Sequence, residues 1–384
     1  MNLRFTAEII LCLSAIALMY TYLGYPLLLA VMGRLKPKQV KCADVLPSVT
    51  IIITAFNEEK ALADKLENTF ALDYPRELID IIVSSDCSSD RTDQIASEYE
   101  SRGVRLHRQS QRLGKTAAQN AAVEKVRGEI ILFSDATSIY EPDVLKKIVR
   151  NFADTTVGCV GGRLIYTNPK DTHVGHGAKR YWGYETFLKR RESRVCSLIG
   201  VSGCLYAVRR SAYVPLYNEA CSDFIIATKL FEQGLRTIYE PDAVCHEETN
   251  ERHDNELRMR VRVIAQTLTD LWRQRAMLNP LRSGFYGIEL LSHKLMRYFV
   301  PFYLIALFAA SALLANASAA YRWFFLSQSL AYVCGAISWM LENLGLRARV
   351  LALPHYFVLA NVASVIAMFQ FLRGERYAHW EPIR

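Results

Sequence analysis

Several carboxylates stand where short apolar runs end. Asp135 closes the stretch Glu129–Asp135, where Ile130–Phe133 gives way to Ser134-Asp135-Ala136-Thr137. Asp86 follows Ile79–Ser84, and Ala55, Asn57 and Glu58 follow Val49–Thr54. Another acid, Asp223, lies in Ser222-Asp223-Phe224 at the head of an apolar helical pattern that Gly234 ends. Groups at the carboxyl ends of parallel strands face the crevice in which open α/β sheets hold ligands, so Glu58, Asp86 and Asp135 are expected to converge. A carboxylate there can hold Mg²⁺ or Mn²⁺ against nucleotide phosphates, because Mg²⁺ takes one or two protein carboxylates and fills its shell with substrate oxygens. Asp223 is placed either to act as a general base or to cap the helix that it begins. Asp135 can equally do no more than start a turn, and Asp90 is well placed as an N-cap.

These groups need strands to carry them. Between Pro47 and about Val160, buried-strand patterns at Val49–Thr54, Ile79–Ser84, Val104–Leu106 and Ile130–Phe133 alternate with helical patterns at Glu59–Phe70, Arg91–Ser101 and Thr116–Val126. Strands separated by helices of that length imply right-handed βαβ units and a parallel sheet. A helix with Pro142 in its first turn is expected directly after Asp135. A mixed region runs from Gly158 to Glu248 and includes a helix at Asp223–Gln233.

The remainder is apolar. Ile9–Gly33 carries no charged residue over about 25 positions, enough to cross a bilayer. Arg34, Lys36, Lys38 and Lys41 follow at once, which by the positive-inside rule sets that end in the cytoplasm. Three further spans are expected near Tyr298–Tyr321, Trp323–Leu341 and Val350–Leu372, and the basic tail residues Arg373, Arg376 and Arg384 fit an exterior C-terminus poorly. Glu256–Lys294 is helical in tendency and basic with interleaved apolar residues, which suits interfacial helices. The expected organisation is an N-terminal span and linker at 1–46, a soluble domain at 47–255, interfacial helices at 256–297 and a membrane group at 298–384. The net charge of +8 is spread without the Lys/Arg run of a nucleic-acid patch. Nine cysteines without a Cys-x-x-Cys pair indicate neither a zinc site nor a disulfide framework. Gly114-Lys115-Thr116 is no P-loop, since Gln109 takes the place of its first glycine, and His246-Glu247 lacks the second histidine of a zinc-protease motif.

In order along the chain, Ile51–Glu59, Ser85–Asp90, Arg112–Lys115, Asp135–Thr137, Val201–Arg210 and Ser222–Phe224 resemble the motifs of the family 2 glycosyltransferases. The likeness is to their membrane branch, which includes cellulose, hyaluronan and poly-N-acetylglucosamine synthases. It implies an α/β GT-A fold, a Rossmann-like nucleotide-diphospho-sugar transferase domain with added membrane and interfacial helices. It implies inverting transfer from a nucleotide sugar, UDP-linked by first expectation, to a glycan or lipid-linked acceptor in cell-surface polysaccharide synthesis. The site residues implied are Asp223 as base, Asp135 as metal ligand, and Glu58 and Asp86 on the nucleoside. Ala55, Asn57, Ser134, Gly203, Lys115, Arg258 and Arg262 would line the donor site. The cofactor would be Mg²⁺ or Mn²⁺, and the partners would be donor, acceptor, membrane lipids and polysaccharide export components, with no nucleic acid. The setting would be a multi-pass protein of the inner or plasma membrane with its catalytic domain in the cytoplasm. Thr137 stands where the family's second metal-binding acid belongs, and Val263 where its Gln-x-x-Arg-Trp sequence has Trp. Cys87 replaces a usual Gly, so positive φ is not expected there. Ser292-His293-Lys294 also recurs before the spans of such proteins, with no expected role beyond anchoring. From another class, Thr137 leaves open a catalytically silent nucleotide- or glycan-binding subunit of an export complex.

Overall fold

The computed structural model describes residues 3–167, 173–248, 253–343 and 352–377. Helix α1 (Leu3–Met19) runs through a π-helical turn into α2 (Tyr25–Leu35). The sheet region follows as β1 (Val49–Ala55), α3 (Leu62–Phe70), β2 (Ile79–Ser85), α4 (Thr92–Glu98), β3 (Val104–Arg108), α5 (Lys115–Val123) and β4 (Ile130–Asp135). It continues with β5 (Ile139–Tyr140), α6 (Val144–Val149), β6 (Val157–Thr167), α7 (His173–Val195), β7 (Leu205–Arg209), α8 (Ser222–Glu232) and β8 (Arg236–Glu248). After α9 (His253–Arg273) come the short α10 (Pro280–Ser283) and α11 (Phe285–Glu289), a π-helical turn at Leu290–Leu295, then α12 (Met296–Leu314), α13 (Ala319–Asn343) and α14 (Ala352–Leu372).

The strands form one mixed sheet in the order β3-β2-β1-β4-β7-β6-β8-β5. β1 pairs in parallel with β2 and β4, and β2 with β3, as the alternating pattern requires. Ile51 and Ile53 face one core cluster while Ile52 faces another, so both sides of β1 are covered. That is why these strands read as unbroken apolar runs. Beyond β4 the sheet turns antiparallel at β7. Strand β5 was not expected; it stands between Asp135 and the helix containing Val144, and pairs antiparallel with β8. The basic segment expected as helical from Glu256 to Lys294 is interrupted after Arg273.

Among the described residues, four helical stretches are long and apolar enough to cross a membrane: Leu3–Leu35, Phe285–Leu314, Ala319–Leu341 and Pro354–Leu372. Their number and order match the expected spans, although Val350 and Arg384 lie outside the described residues. Amphipathic α9 sets Val261, Ile264, Ala265 and Leu268 against Ala363 and Ala367 of α14.

A buried polar clamp joins the sheet region to these helices. His293 contacts Glu192 through Nδ1 at 2.6 Å and Glu185 through Nε2 at 3.1 Å. Tyr25 of α2 donates to the same Glu192 oxygen over 2.6 Å, and Arg297 of α12 pairs with Glu185. His293 therefore does more than anchor: it bridges two buried acids of α7. His293→Ala should break this bridge, leaving Glu192 with the Tyr25 hydroxyl and Glu185 with Arg297, and lower stability by about 3–5 kcal/mol. Thermal unfolding of the purified protein in detergent measures this, and an unchanged melting temperature would contradict it.

Candidate active site

The strand ends are level, because Thr54 lies opposite both Ser84 of β2 and Asp135 of β4. Past that line the chain leaves β1 through Asn57-Glu58 and β2 through Asp86-Cys87-Ser88. Buried Ala55 accepts from the Asp86 amide through its carbonyl over 2.9 Å, which holds the two turns together. The Asn57 amide donates to Ser88 Oγ at 3.1 Å, and Ser89 N donates to Asn57 Oδ1 at 2.8 Å. These cross-links enforce left-handed backbone at Asn57 (φ +54°) and Cys87 (φ +60°). The expectation for Cys87 is thus overturned: the turn keeps the bend that glycine would favour and holds cysteine in it, at about 1–2 kcal/mol. Glu58 is buried beside them, its amide donating to Thr92 Oγ1 over 2.7 Å. Asp90 stands one residue before the N-cap position of α4, which Arg91 takes, and its carboxylate accepts from the Thr92 amide at 3.0 Å and from Glu59 N at 3.1 Å.

The Asp86 carboxylate is fully buried and engaged within the chain. Its Oδ1 accepts from Gln109 Nε2 and Leu113 N, and its Oδ2 from Gly114 N, each at 2.9 Å. Gly114, at φ +98°, then turns the chain so that Lys115 opens α5. A base-reading role expected for Asp86 is therefore joined by a structural one, in which it fixes the loop that carries Lys115.

The Lys115 ammonium pairs with Asp135 Oδ1, and both side chains stay partly exposed, at 25% and 29%. Burial opposes the charge on Lys115, but Asp135, followed by Asp223 and Glu247, outweighs it and raises the lysine pKa. Gly203 lies in the turn before β7 rather than within the strand. A Cβ there would stand 3.1 Å from Lys115 Nζ and 3.3 Å from Asp223 Oδ2, so both groups crowd against the bare glycine backbone. Asp223 sits in the first turn of α8, where the helix dipole favours its charge. Its Oδ1 accepts from the Cys221 thiol at 3.0 Å, so the carboxylate is not used up as a cap. Ser134 is buried, its hydroxyl turned to the Asp135 carbonyl at 3.0 Å. Burial lowers the pKa of Arg262, and the charges of Asp223 and Asp135 oppose that only in part and mark it as facing the cluster. Arg258 does not join them; it is exposed and donates to Asn255 at 2.9 Å.

Two groups escaped the sequence reading. Glu247 of β8 accepts from Thr137 Oγ1 over 3.0 Å, and burial together with the Asp135 charge pushes it up to about 7. Its signal was present: it ends a strand as Asp135 does and shares parity with buried Ala243 and Cys245. The pairing of Ile139 with His246 makes it a neighbour of Thr137. Lys65 is wholly buried, donates to the Ser138 carbonyl at 2.6 Å and lies 3.3 Å over the Tyr140 ring, and burial lowers it to about 7. Among the described residues no three His, Cys, Asp or Glu side chains form a metal cage. Asp135, Glu247 and the Thr137 hydroxyl are nevertheless an all-oxygen donor set, with the Lys115 ammonium as the cation among them. That set fits a hard divalent ion completed by substrate oxygens.

Asp270 of α9 supports Asp223 from behind, its Oδ2 accepting from Cys221 N at 3.1 Å. Burial pushes this acid up to about 8. Its unfolded value is about 3.9, so the unfolded state binds fewer protons between the two values and stability falls as pH rises through that window. Asp270→Asn keeps an acceptor for Cys221 but cannot ionise. The variant's melting temperature should therefore decline less than the wild type's between pH 5 and 9, and parallel declines would contradict this.

Comparison with known proteins places this geometry. The model of the glycosyl transferase family 2 matches residues 50–220. The chain is 25% identical over 239 residues to a poly-beta-1,6-N-acetyl-D-glucosamine synthase of Staphylococcus aureus, covering 60% of this chain and 54% of that protein. It is 30% identical over 197 residues to a beta-monoglucosyldiacylglycerol synthase of Trichormus variabilis, covering 50% of this chain and 42% of that one. The chain thus spans about half the length of these curated relatives. Among solved structures, a mannosyltransferase from Pyrobaculum calidifontis in complex with GDP-Man and Mn²⁺ superposes with a TM-score of 0.72 at 24% identity, covering 94% of this chain and 99% of that one. Over residues 50–220 the chain is thus similar to the glycosyl transferase family 2, and its sheet region has the GT-A fold.

Proposed function

We propose that this chain is a membrane-embedded inverting glycosyltransferase that moves a sugar from a nucleotide-diphosphate donor to a hydroxyl of a glycan or lipid-linked acceptor. The observation that carries this reading is the meeting of Lys115, Asp135 and Asp223 over Gly203. The nucleoside end of the donor is assigned to the turns of Asn57-Glu58 and Asp86, and the diphosphate to the Lys115–Asp135 end. Asp223 takes the proton of the acceptor hydroxyl as its oxygen attacks the anomeric carbon from the face opposite the diphosphate. Lys115 and Arg262 oppose the negative charge that builds on the leaving group. Asp135, with Glu247 and the Thr137 hydroxyl, would hold Mg²⁺ or Mn²⁺, which supplies Lewis-acid stabilisation of the diphosphate when bound. Thr137 was the feature that left a silent subunit open; Glu247 beside it restores a second carboxylate and supports the enzyme reading. Arg34, Lys36, Lys38 and Lys41 after the first span support a cytoplasmic domain.

Purified full-length protein with Mn²⁺, offered UDP-, GDP- and dTDP-sugars, should release one nucleotide selectively, and the product size separates single transfer from polymerisation. Asp223→Asn should lower turnover by at least about 100-fold with nucleotide binding intact. Near-normal turnover would remove Asp223 from the mechanism, and nucleotide binding without release from any donor would favour the silent subunit. Glu247→Gln should weaken Mn²⁺ binding, read by electron paramagnetic resonance with nucleoside diphosphate present, by about tenfold or more. Unchanged affinity would exclude Glu247 from the metal site.

A further inference from the structure

Helix α7 carries Phe187, Arg190, Arg191 and Arg194 at spacings of 3, 1 and 3, which puts them on one face. Its other face, with Glu185, Leu188, Glu192 and Val195, is buried. The end of α2, at Gly33 and Arg34, comes against the arginine face, and the two helices line a cavity of about 420 Å³. Four guanidinium groups thus surround one space, and among the described residues none of them pairs with an acidic side chain. Like charges at these spacings disfavour a helix and repel across a cavity, so the arrangement calls for an anion. Arginine rather than lysine throughout indicates an oxyanion held by paired oxygens, because the planar guanidinium fork matches phosphate bidentately.

The position narrows the source. Arg34 is the last residue but one of the apolar stretch Leu3–Leu35, so the cavity sits where a membrane's hydrocarbon would end and its headgroups begin. Phe187 of the lining is 39% accessible, and Leu35, next in sequence to Arg34, is 71% accessible, which leaves apolar surface where the start of an acyl chain would lie. A volume of this size accommodates a small polar group.

We propose that this cavity binds the phosphate-bearing headgroup of an anionic phospholipid, on the membrane side that carries the sheet domain. The assignment is independent of the catalytic reading. It has a structural consequence, because the opposite side of α7 bears Lys189, whose ammonium donates to Ser202 Oγ at 3.0 Å beside Gly203. One helix thus has a lipid on one face and the candidate active site on the other.

Native mass spectrometry of the detergent-purified full chain, exposed to equal phosphatidylglycerol and phosphatidylcholine, tests this. The wild type should retain phosphatidylglycerol in preference by at least about tenfold. The double variant Arg190→Gln, Arg194→Gln and, separately, Arg34→Gln should lose that preference. Their melting temperatures in lipid-free neutral detergent should equal or exceed the wild type's, since repulsion is relieved. Equal retention of the two lipids by the wild type, or an undiminished preference in both variants, would overturn the proposal. Displacement of the lipid by equimolar glycerol 3-phosphate would assign the cavity to a soluble phosphate ester and overturn the lipid assignment.

Discussion

The ion pair between Lys115 and Asp135 is the interaction on which the rest of the site depends. Asp135, Asp223 and Glu247 arrive from β4, α8 and β8, and all act on the same ammonium. Carboxylates gathered this closely repel one another unless a cation lies among them. The pKa of Glu247 is raised first by burial and then by the neighbouring Asp135 charge. Delivery of the ammonium is mechanical: buried Asp86 holds the amides of Leu113 and Gly114, and the left-handed Gly114 sets Lys115 at the head of α5. The nucleoside end and the diphosphate end of the crevice are therefore coupled through one short loop.

The membrane-side architecture rests on a second charge balance. Glu185 and Glu192 are buried on α7, and His293, Arg297 and Tyr25 reach them from helices on either side of the sheet region in sequence. A buried acid stripped of its partners is strongly destabilising, so this clamp fixes how α7 lies against α2 and α12. The same helix presents its arginines outward and Lys189 toward Ser202. Polar contacts of both signs are thus sorted by helical periodicity to different faces of α7.

What the sequence made legible follows from period and punctuation. Ile51–Ile53 and Ile130–Phe133 read as buried strands because both faces of the parallel half are covered, and Asp135 was findable as the acid that ends such a run. Gly234 marked the end of α8 as a left-handed cap. Strand β5 escaped because a two-residue strand leaves no periodic signal, and its partnership with β8 is long-range. Glu247 ends a strand as Asp135 does, but its tie to Thr137, 110 residues away, comes only through sheet pairing. Cys87 misled because tertiary cross-links at Asn57, Ser88 and Ser89 outweigh a residue's own preference for negative φ. The separation of Arg262 from Arg258 on one helix depends on what each face meets, which composition does not record.

The central claim is that the strand-end cluster takes a nucleoside diphosphate together with a divalent cation. Isothermal titration of UDP and GDP into the purified full-length protein, with and without Mn²⁺, tests it most directly when repeated on Asp135→Ala. The account predicts that one nucleotide binds at least about tenfold more tightly with Mn²⁺, a difference of about 1.4 kcal/mol, and that this gain disappears in the variant. Nucleotide binding indifferent to the metal, or a metal-dependent gain that survives the loss of Asp135, would contradict it.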